Sequence, residues 1–177
     1  MIERPISGGE VALRDDDLAR IGLAVVFESS AKSITASASR AIASLSEVEW
    51  VRLERVQFKQ ILKTIESRLE VINDSEVSER FGVLKLAVNN AQEARHVIVH
   101  AIWGQGGETG VRGYDYGRER LLDSEDIALA MSGCAEIKRA ASWFTMRVAI
   151  LIEEGVLPER PEGRGMKMRT LKGVVRL

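Results

Sequence analysis

Apolar residues recur every three or four positions over four long stretches of the chain, and polar residues fill the positions between them. This spacing is typical of amphipathic helices that bury one face. The four predicted helices span residues 16–43, 47–72, 75–103 and 125–154. Ser46 and Glu49 form a capping box before the second helix, and Asp123 or Ser124 caps the fourth. Gly155 ends the fourth helix.

Short links between the first three helices predict an all-α fold, an antiparallel four-helix bundle. The segment 104–123 is rich in glycine, so we expect a loop or a small hairpin between helices 3 and 4, with 111–116 as its strand-like part. Residues 1–155 then form a single helical bundle domain. Residues 156–177 form a basic tail, which we expect to be flexible.

Composition narrows the class of protein without naming a function. The chain has 177 residues, 45% of them hydrophobic, which suffices for one domain with a core. The formal net charge is −1, so no overall field favours nucleic acid or a membrane. Cys134 is the single cysteine and forms no intrachain disulfide, so we expect a core or helix-surface residue in a cytoplasmic protein. No leader or membrane-spanning run is expected.

Both histidines of the chain lie in the third predicted helix, four residues apart and beside Arg95. On a helical wheel, His96 and His100 share a polar face with Asn89 and Glu93. The opposite face is a stripe of small and apolar residues, predicted to be buried: Leu84, Ala87, Ala91, Ala94, Ile98, Ala101 and Ile102. Arg95 lies at the edge of that apolar stripe, roughly 140° from His100. Histidine titrates nearest neutral pH, so the pair is the strongest candidate for chemistry in this sequence.

Three interpretations of this segment stand side by side. In the first, His100 is the general acid or base of a ribonuclease, and Arg95 neutralises the phosphate. In the second, Glu93, His96 and His100 ligate a metal from one helix face, although no fourth ligand is evident. In the third, the histidines are partly buried structural residues and Arg95 pairs with a nearby acid.

The segment Arg95-His96-Val97-Ile98-Val99-His100 resembles the motif of the HEPN superfamily, an arginine followed by a polar residue and then a histidine five places after the arginine. The resemblance covers mainly residues 75–155. It implies a small all-α domain that cleaves RNA without a metal or other cofactor. By the same resemblance Arg95 and His100 are catalytic and His96 is auxiliary. A homodimer whose two motifs meet is also implied, with Val97, Val99 and Trp103 at the interface.

The glycine-rich segment adds candidate RNA contacts, because aromatic rings and guanidinium groups suit unpaired bases and phosphates. These candidates are Arg112, Tyr114, Tyr116, Arg118 and Arg120. The resemblance further implies a toxin or defence role, RNA products with a 2′,3′-cyclic phosphate, and a cognate antitoxin protein as a partner. The alternative is a non-catalytic helical module for binding or dimerisation.

Overall fold

The computed structural model describes residues 13–100, 102–105, 111–115 and 120–158. Within these ranges the chain forms five helices and three short strands. The helices are α1 (Asp15–Ile42), α2 (Glu47–Glu54), α3 (Phe58–Ile72), α4 (Ser75–His100) and α5 (Ser124–Glu153). The strands are β1 (Ile102–Gln105), β2 (Val111–Asp115) and β3 (Arg120–Leu122), between α4 and α5. The predicted all-α class is confirmed, and the strands are a small addition to it.

The predicted start and stop signals are confirmed at three helix ends. The Ser46 hydroxyl accepts a hydrogen bond from the Glu49 backbone N–H at 3.4 Å, and the Glu49 carboxylate accepts one from the Ser46 backbone N–H at 2.9 Å. Asp123 caps α5 by accepting from two backbone N–H groups of its first turn. Gly155, with a φ of 72°, follows the last turn of α5 in the left-handed region.

The second predicted helix is interrupted, which sequence periodicity did not indicate. The backbone leaves the helix at Arg55 and resumes at Phe58, so that one predicted helix becomes α2 and α3. Asn73, in the left-handed region with a φ of 50°, ends α3. Asparagine tolerates this conformation better than most residues.

The first and last helices run parallel to each other, which differs from the predicted antiparallel arrangement. They begin side by side, and they also end side by side, where Ala41 and Ile42 border the same cavity as Val156 and Leu157. The beginnings of α1 and α5 lie together, because the Ser124 hydroxyl donates to the buried Asp17 carboxylate at 3.1 Å. Arg14 and Arg20 also contact that carboxylate, at 3.1 and 3.4 Å. A buried carboxylate requires such donors to offset the loss of hydration. Asp17 therefore ties the start of α1 to the start of α5.

The main core lies where α5 packs along both α1 and α4, with α3 covering the end of the bundle away from the strands. A second, smaller cluster of buried residues includes Ala24, Ile98, Leu122 and Cys134, and it lies next to the strands. Leu157 packs into the main core, so the bundle extends slightly past the predicted boundary at 155. Residues 159–177 of the predicted tail lie outside the described residues.

Helices α4 and α5 approach each other closely at Gly133. A Cβ atom built on Gly133 would lie 2.7 Å from the Ala91 Cβ, which is inside van der Waals contact. The approach requires a residue without a side chain on α5 and a small residue on α4. Gly82 of α4 is the control position, because no atom lies within 4 Å of a Cβ atom built on Gly82.

We expect Gly133→Ala to destabilise the protein by about 1 to 2 kcal/mol, because overpacking exceeds the gain in helix propensity. Gly82→Ala should instead stabilise it by about 0.5 to 1 kcal/mol, since the methyl group enters open space. Urea unfolding followed by circular dichroism measures both. Equal effects of the two substitutions would contradict the close approach.

The three strands form an antiparallel sheet in the order β1-β2-β3. Ile102 pairs with Tyr114, and Tyr114 pairs with Leu121. The predicted extension of the third helix to Trp103 is wrong, because α4 ends at His100 and Trp103 lies in β1. Ile and Trp favour strands, and pairing with β2 replaces the helical hydrogen bonds that Gly104 would weaken. The segment predicted to be a loop or a small hairpin thus contains a three-stranded sheet.

The turn before α4 is held by an ion pair with α5. Asp74 accepts a hydrogen bond from the Val77 backbone N–H at 2.7 Å and pairs with Arg147 at 2.6 Å. The Arg147 guanidinium, and after it the Val77 N–H, lowers the pKa of Asp74 from its ordinary value of 3.8. Because the folded pKa is lowered, the stability from this carboxylate is complete above pH 3.8 and is lost as the pH falls through the folded pKa.

We therefore expect Asp74→Asn to be less stable than the wild type at neutral pH, with the gap closing as the pH falls below 3.8. Asparagine still caps the helix, so the variant isolates the charge. Melting temperatures over a pH series measure the gap. Asp123→Asn is the control, because Asp123 caps α5 with no arginine partner among the described residues. A gap for Asp74→Asn that is independent of pH would contradict the assignment.

Candidate functional site

Arg95 lies on the inner face of α4, in line with residues of the core. Leu84, Val88, Ala91 and Ile98 are buried on the same face. The sequence placed Arg95 at the edge of the apolar stripe, whereas the structure places it within the stripe and facing α1. Ala87 and Ala94, which the wheel assigned to the buried face, are only partly buried. The stripe is therefore rotated by part of a turn from the predicted one.

Arg95 forms an ion pair with Glu28 of α1. Its Nε lies 2.6 Å from the Glu28 Oε2, and the two side chains retain 26% and 16% of their exposure. The Nε–H is not directed at an acceptor, so this contact is an ion pair rather than an aligned hydrogen bond. The guanidinium thus lies at a partly covered position between α1 and α4, with its charge balanced by one carboxylate.

Cys134 of α5 is a buried residue near the Arg95–Glu28 ion pair, and we refer to these three residues as the cluster. Burial raises the pKa of the Cys134 thiol to about 11, with a further increase from the Glu28 charge and an opposing effect of Arg95. The thiol is fully buried, so of the two predicted places for Cys134, the core and the helix surface, the structure shows the core. A buried thiol with a raised pKa is protonated at neutral pH and is a poor nucleophile. Cys134 is therefore a packing residue beside the ion pair.

The two histidines lie at different levels near the end of α4. The His96 side chain is exposed, as is Asn89, and this agrees with the predicted polar face. His100 is the last residue of α4, and its side chain lies outside the described part of the structure, as does that of Glu93. Consecutive helical residues differ by about 100°, so Arg95 and His96 project from different faces. The structure does not bring these two side chains together.

The metal hypothesis concerns the side chains of Glu93, His96 and His100. Among the described residues no group of three or more His, Cys, Asp or Glu side chains is arranged to hold a metal ion. Two of the three ligands proposed from the sequence, Glu93 and His100, fall outside the described side chains.

The candidate RNA contacts fall partly on the sheet. The backbones of Arg112 and Tyr114 lie in β2, and that of Arg120 lies in β3, where it pairs with Asp115. Tyr116 and Arg118 lie outside the described residues. Since β1 begins two residues after the end of α4, the sheet lies close to the helix end that carries the histidines.

Glu28 is the residue of this cluster that the sequence analysis missed. It belongs to α1, 67 positions before Arg95, and its neighbours Ser29 and Ser30 lie where the apolar spacing of the first helix is weakest. The only signal available was an acid at a core-facing position of a predicted helix. That signal does not indicate which basic residue is the partner.

Comparisons of the chain with protein-family models, with curated proteins and with solved structures gave no match. None of the helices within the described residues combines the length and the apolar character needed to cross a bilayer.

Proposed function

We propose that this chain is a metal-independent endoribonuclease whose site lies at the end of α4. The observation that carries the proposal is the position of Arg95. It is a partly exposed guanidinium held beside Glu28, in the helical segment where the sequence resembles the HEPN motif. Arginine in such a position suits a phosphate, because its planar group carries five N–H donors.

The proposed reaction needs only side chains of this chain. His100 removes the proton from a ribose 2′-hydroxyl, and the 2′-oxygen attacks the adjacent phosphorus. The bond to the 5′-oxygen breaks, and the leaving oxygen takes a proton from solvent water, while His100 releases the proton that it accepted to the solvent. The products are a 2′,3′-cyclic phosphate and a 5′-hydroxyl. Arg95 neutralises the additional negative charge on the phosphate as it develops, and exposed His96 contacts the neighbouring phosphate.

The Glu28 ion pair sets a condition on this reaction. Nε of Arg95 faces Glu28, so the terminal nitrogens of the guanidinium are the ones that would serve the phosphate. Arg95 and His100 lie about 140° apart around α4. An RNA strand laid across the end of the helix would therefore meet the arginine and the histidine with successive parts of its backbone.

The test is cleavage of single-stranded RNA in the presence of EDTA, with the wild type, His100→Ala and Arg95→Lys. We expect His100→Ala to reduce the rate by at least about 100-fold, the usual contribution of a general acid or base. Arg95→Lys keeps the charge beside Glu28 but loses the forked donors, so it should also be slow. Asn89→Ala, exposed on the polar face, is the matched control and should cleave at the wild-type rate. Equal rates for all four proteins, or no cleavage by any, would exclude the proposal.

A toxin role, with a cognate antitoxin protein as a partner, is a separate part of the proposal. Expression of the wild type should arrest bacterial growth, and expression of His100→Ala should not. Arrest by both proteins would contradict a role based on RNA cleavage.

A second candidate function is a non-catalytic module for binding or dimerisation. Exposed apolar side chains on α4 and α5, among them Leu86 and Trp143, favour it. A folded protein that leaves RNA intact in EDTA but self-associates would select this function over the first.

A further inference from the structure

One face of α5 exposes a continuous row of side chains, which we name the α5 stripe. Its members lie three or four residues apart, so they share one side of the helix. They are Leu129, Ser132, Glu136, Arg139, Trp143 and Met146. The apolar members are well exposed, with 68% for Leu129, 44% for Trp143 and 55% for Met146. The stripe is about 26 Å long at the helical rise per residue.

A groove lies between the stripe and α4. It has a volume of about 550 Å³, and Val83, Leu86 and Ala87 of α4 form one wall, with Ala140 and Trp143 of α5 on the other. Leu86 is 61% exposed. Large apolar side chains that border an open groove are a common feature of surfaces that bind another protein.

Two contacts with Arg80 of α4 hold Trp143 in place. The Arg80 guanidinium lies 4.7 Å from the centre of the indole ring, and its Nη1 donates to the Trp143 carbonyl oxygen at 2.7 Å. Arg80 itself is buried, with 8% of its surface exposed. A tryptophan that is fixed and still exposed loses little conformational freedom on binding, which is a property of residues that dominate interfaces.

The α5 stripe is complementary to itself when reversed. A two-fold axis perpendicular to the helix, between Ile137 and Lys138, exchanges Glu136 with Arg139 because both lie equally far from it. The same axis exchanges Leu129 with Met146, so apolar residues meet at both ends. An antiparallel second copy of α5 would therefore place acid against base at the centre and apolar against apolar at the ends.

We propose that two copies of this chain associate through the α5 stripe and the adjoining groove, with the two α5 helices antiparallel. Each Glu136 then pairs with the partner's Arg139, and each Trp143 packs beside the partner's α5. Within the described part of the chain neither Glu136 nor Arg139 has an ion-pair partner of its own. A net charge of −1 gives little repulsion between two copies.

We infer a second copy rather than an unrelated partner, because the α5 stripe carries both Glu136 and Arg139. Two identical stripes can therefore form the same ion pair twice. The stripe is also separate from Val97, Val99 and Trp103, where the resemblance places an interface. This proposal does not depend on RNA cleavage.

Sedimentation velocity on the full chain tests the proposal. We expect the wild type to be a dimer at micromolar concentration. Trp143→Ala and Leu86→Glu should each weaken the dimer at least about tenfold, as expected for large apolar residues that the interface buries. Val48→Glu is the matched control, since Val48 is 62% exposed on α2 and should leave the dimer unchanged.

A charge exchange tests the orientation. Glu136→Arg and Arg139→Glu should each weaken the dimer, because like charges then face each other across the axis. The double variant Glu136→Arg with Arg139→Glu should restore it. Circular dichroism checks that every variant is folded. A monomeric wild type, or a dimer that resists Trp143→Ala and both single charge changes, would overturn the proposal.

Discussion

Phe144→Ala should lower the free energy of unfolding by about 3 to 5 kcal/mol. Phe144 is fully buried, and among the residues whose side chains the structure describes it is the largest with no exposed surface. Its ring lies 5.7 Å from that of Phe81, centre to centre, at an angle of 56°. Such tilted pairs contribute about 0.5 to 1.5 kcal/mol beyond the area that they bury. The substitution removes this pair and leaves a cavity between α4 and α5.

For a chain of this length, where 1 kcal/mol shifts the melting temperature by about 2 to 4 °C, the loss corresponds to a fall of roughly 6 to 20 °C. Phe144→Leu fills more of the space and should cost about half as much or less. Val71→Ala is the control, because Val71 is 80% exposed and should change stability by less than about 0.5 kcal/mol. Thermal and urea unfolding of the three variants should preserve this order. A cost for Phe144→Ala as small as that for Val71→Ala would contradict the packing described.

The second large effect is expected at the ion pair of the candidate site. Glu28→Ala leaves the Arg95 guanidinium at a partly covered position without its carboxylate. We expect a loss of about 2 to 3 kcal/mol in the free energy of unfolding, less than for a fully buried pair because both side chains keep some exposure.

Restoring the charge balance should recover much of this loss. The double variant Glu28→Ala with Arg95→Met removes both charges and retains an apolar stem, so it should be more stable than Glu28→Ala alone. Glu66→Ala is the matched control, because Glu66 pairs with Lys85 on the surface, where the side chains are 50% and 43% exposed. Its effect should be below about 0.5 kcal/mol. Equal costs for Glu28→Ala and Glu66→Ala would show that the inner pair is no more important than a surface one.

Local patterns predicted the helices well because their causes are local. The ends of α1, the capping box at Ser46 and the cap at Asp123 are all confirmed within one residue. The break at Arg55 and the end of α4 at His100 were not predicted. In both places neighbouring structure decides the conformation, since continued helical periodicity fits the residues of either segment.

Part of the candidate site was also predictable from local sequence, and part depends on contacts between distant helices. The sequence indicated that Arg95, His96 and His100 lie on one helix, and the exposed face of Asn89 and His96 is as predicted. The partner of Arg95 was not predictable, because Glu28 is separated from it by 67 positions and by two intervening helices. Only the packing of α1 against α4 and α5 brings the two charges to 2.6 Å.

The sequence by itself determined the helical class, the ends of most helices and the residues available for chemistry. Spacing, caps and glycine positions act within a few residues of one another, and a single chain displays them directly. The tertiary structure decided which way Arg95 faces, which acid it meets and which stripe of α5 is left uncovered. These depend on helix rotation and on contacts between distant segments. A shift of part of a turn changes each partner while the sequence pattern stays the same.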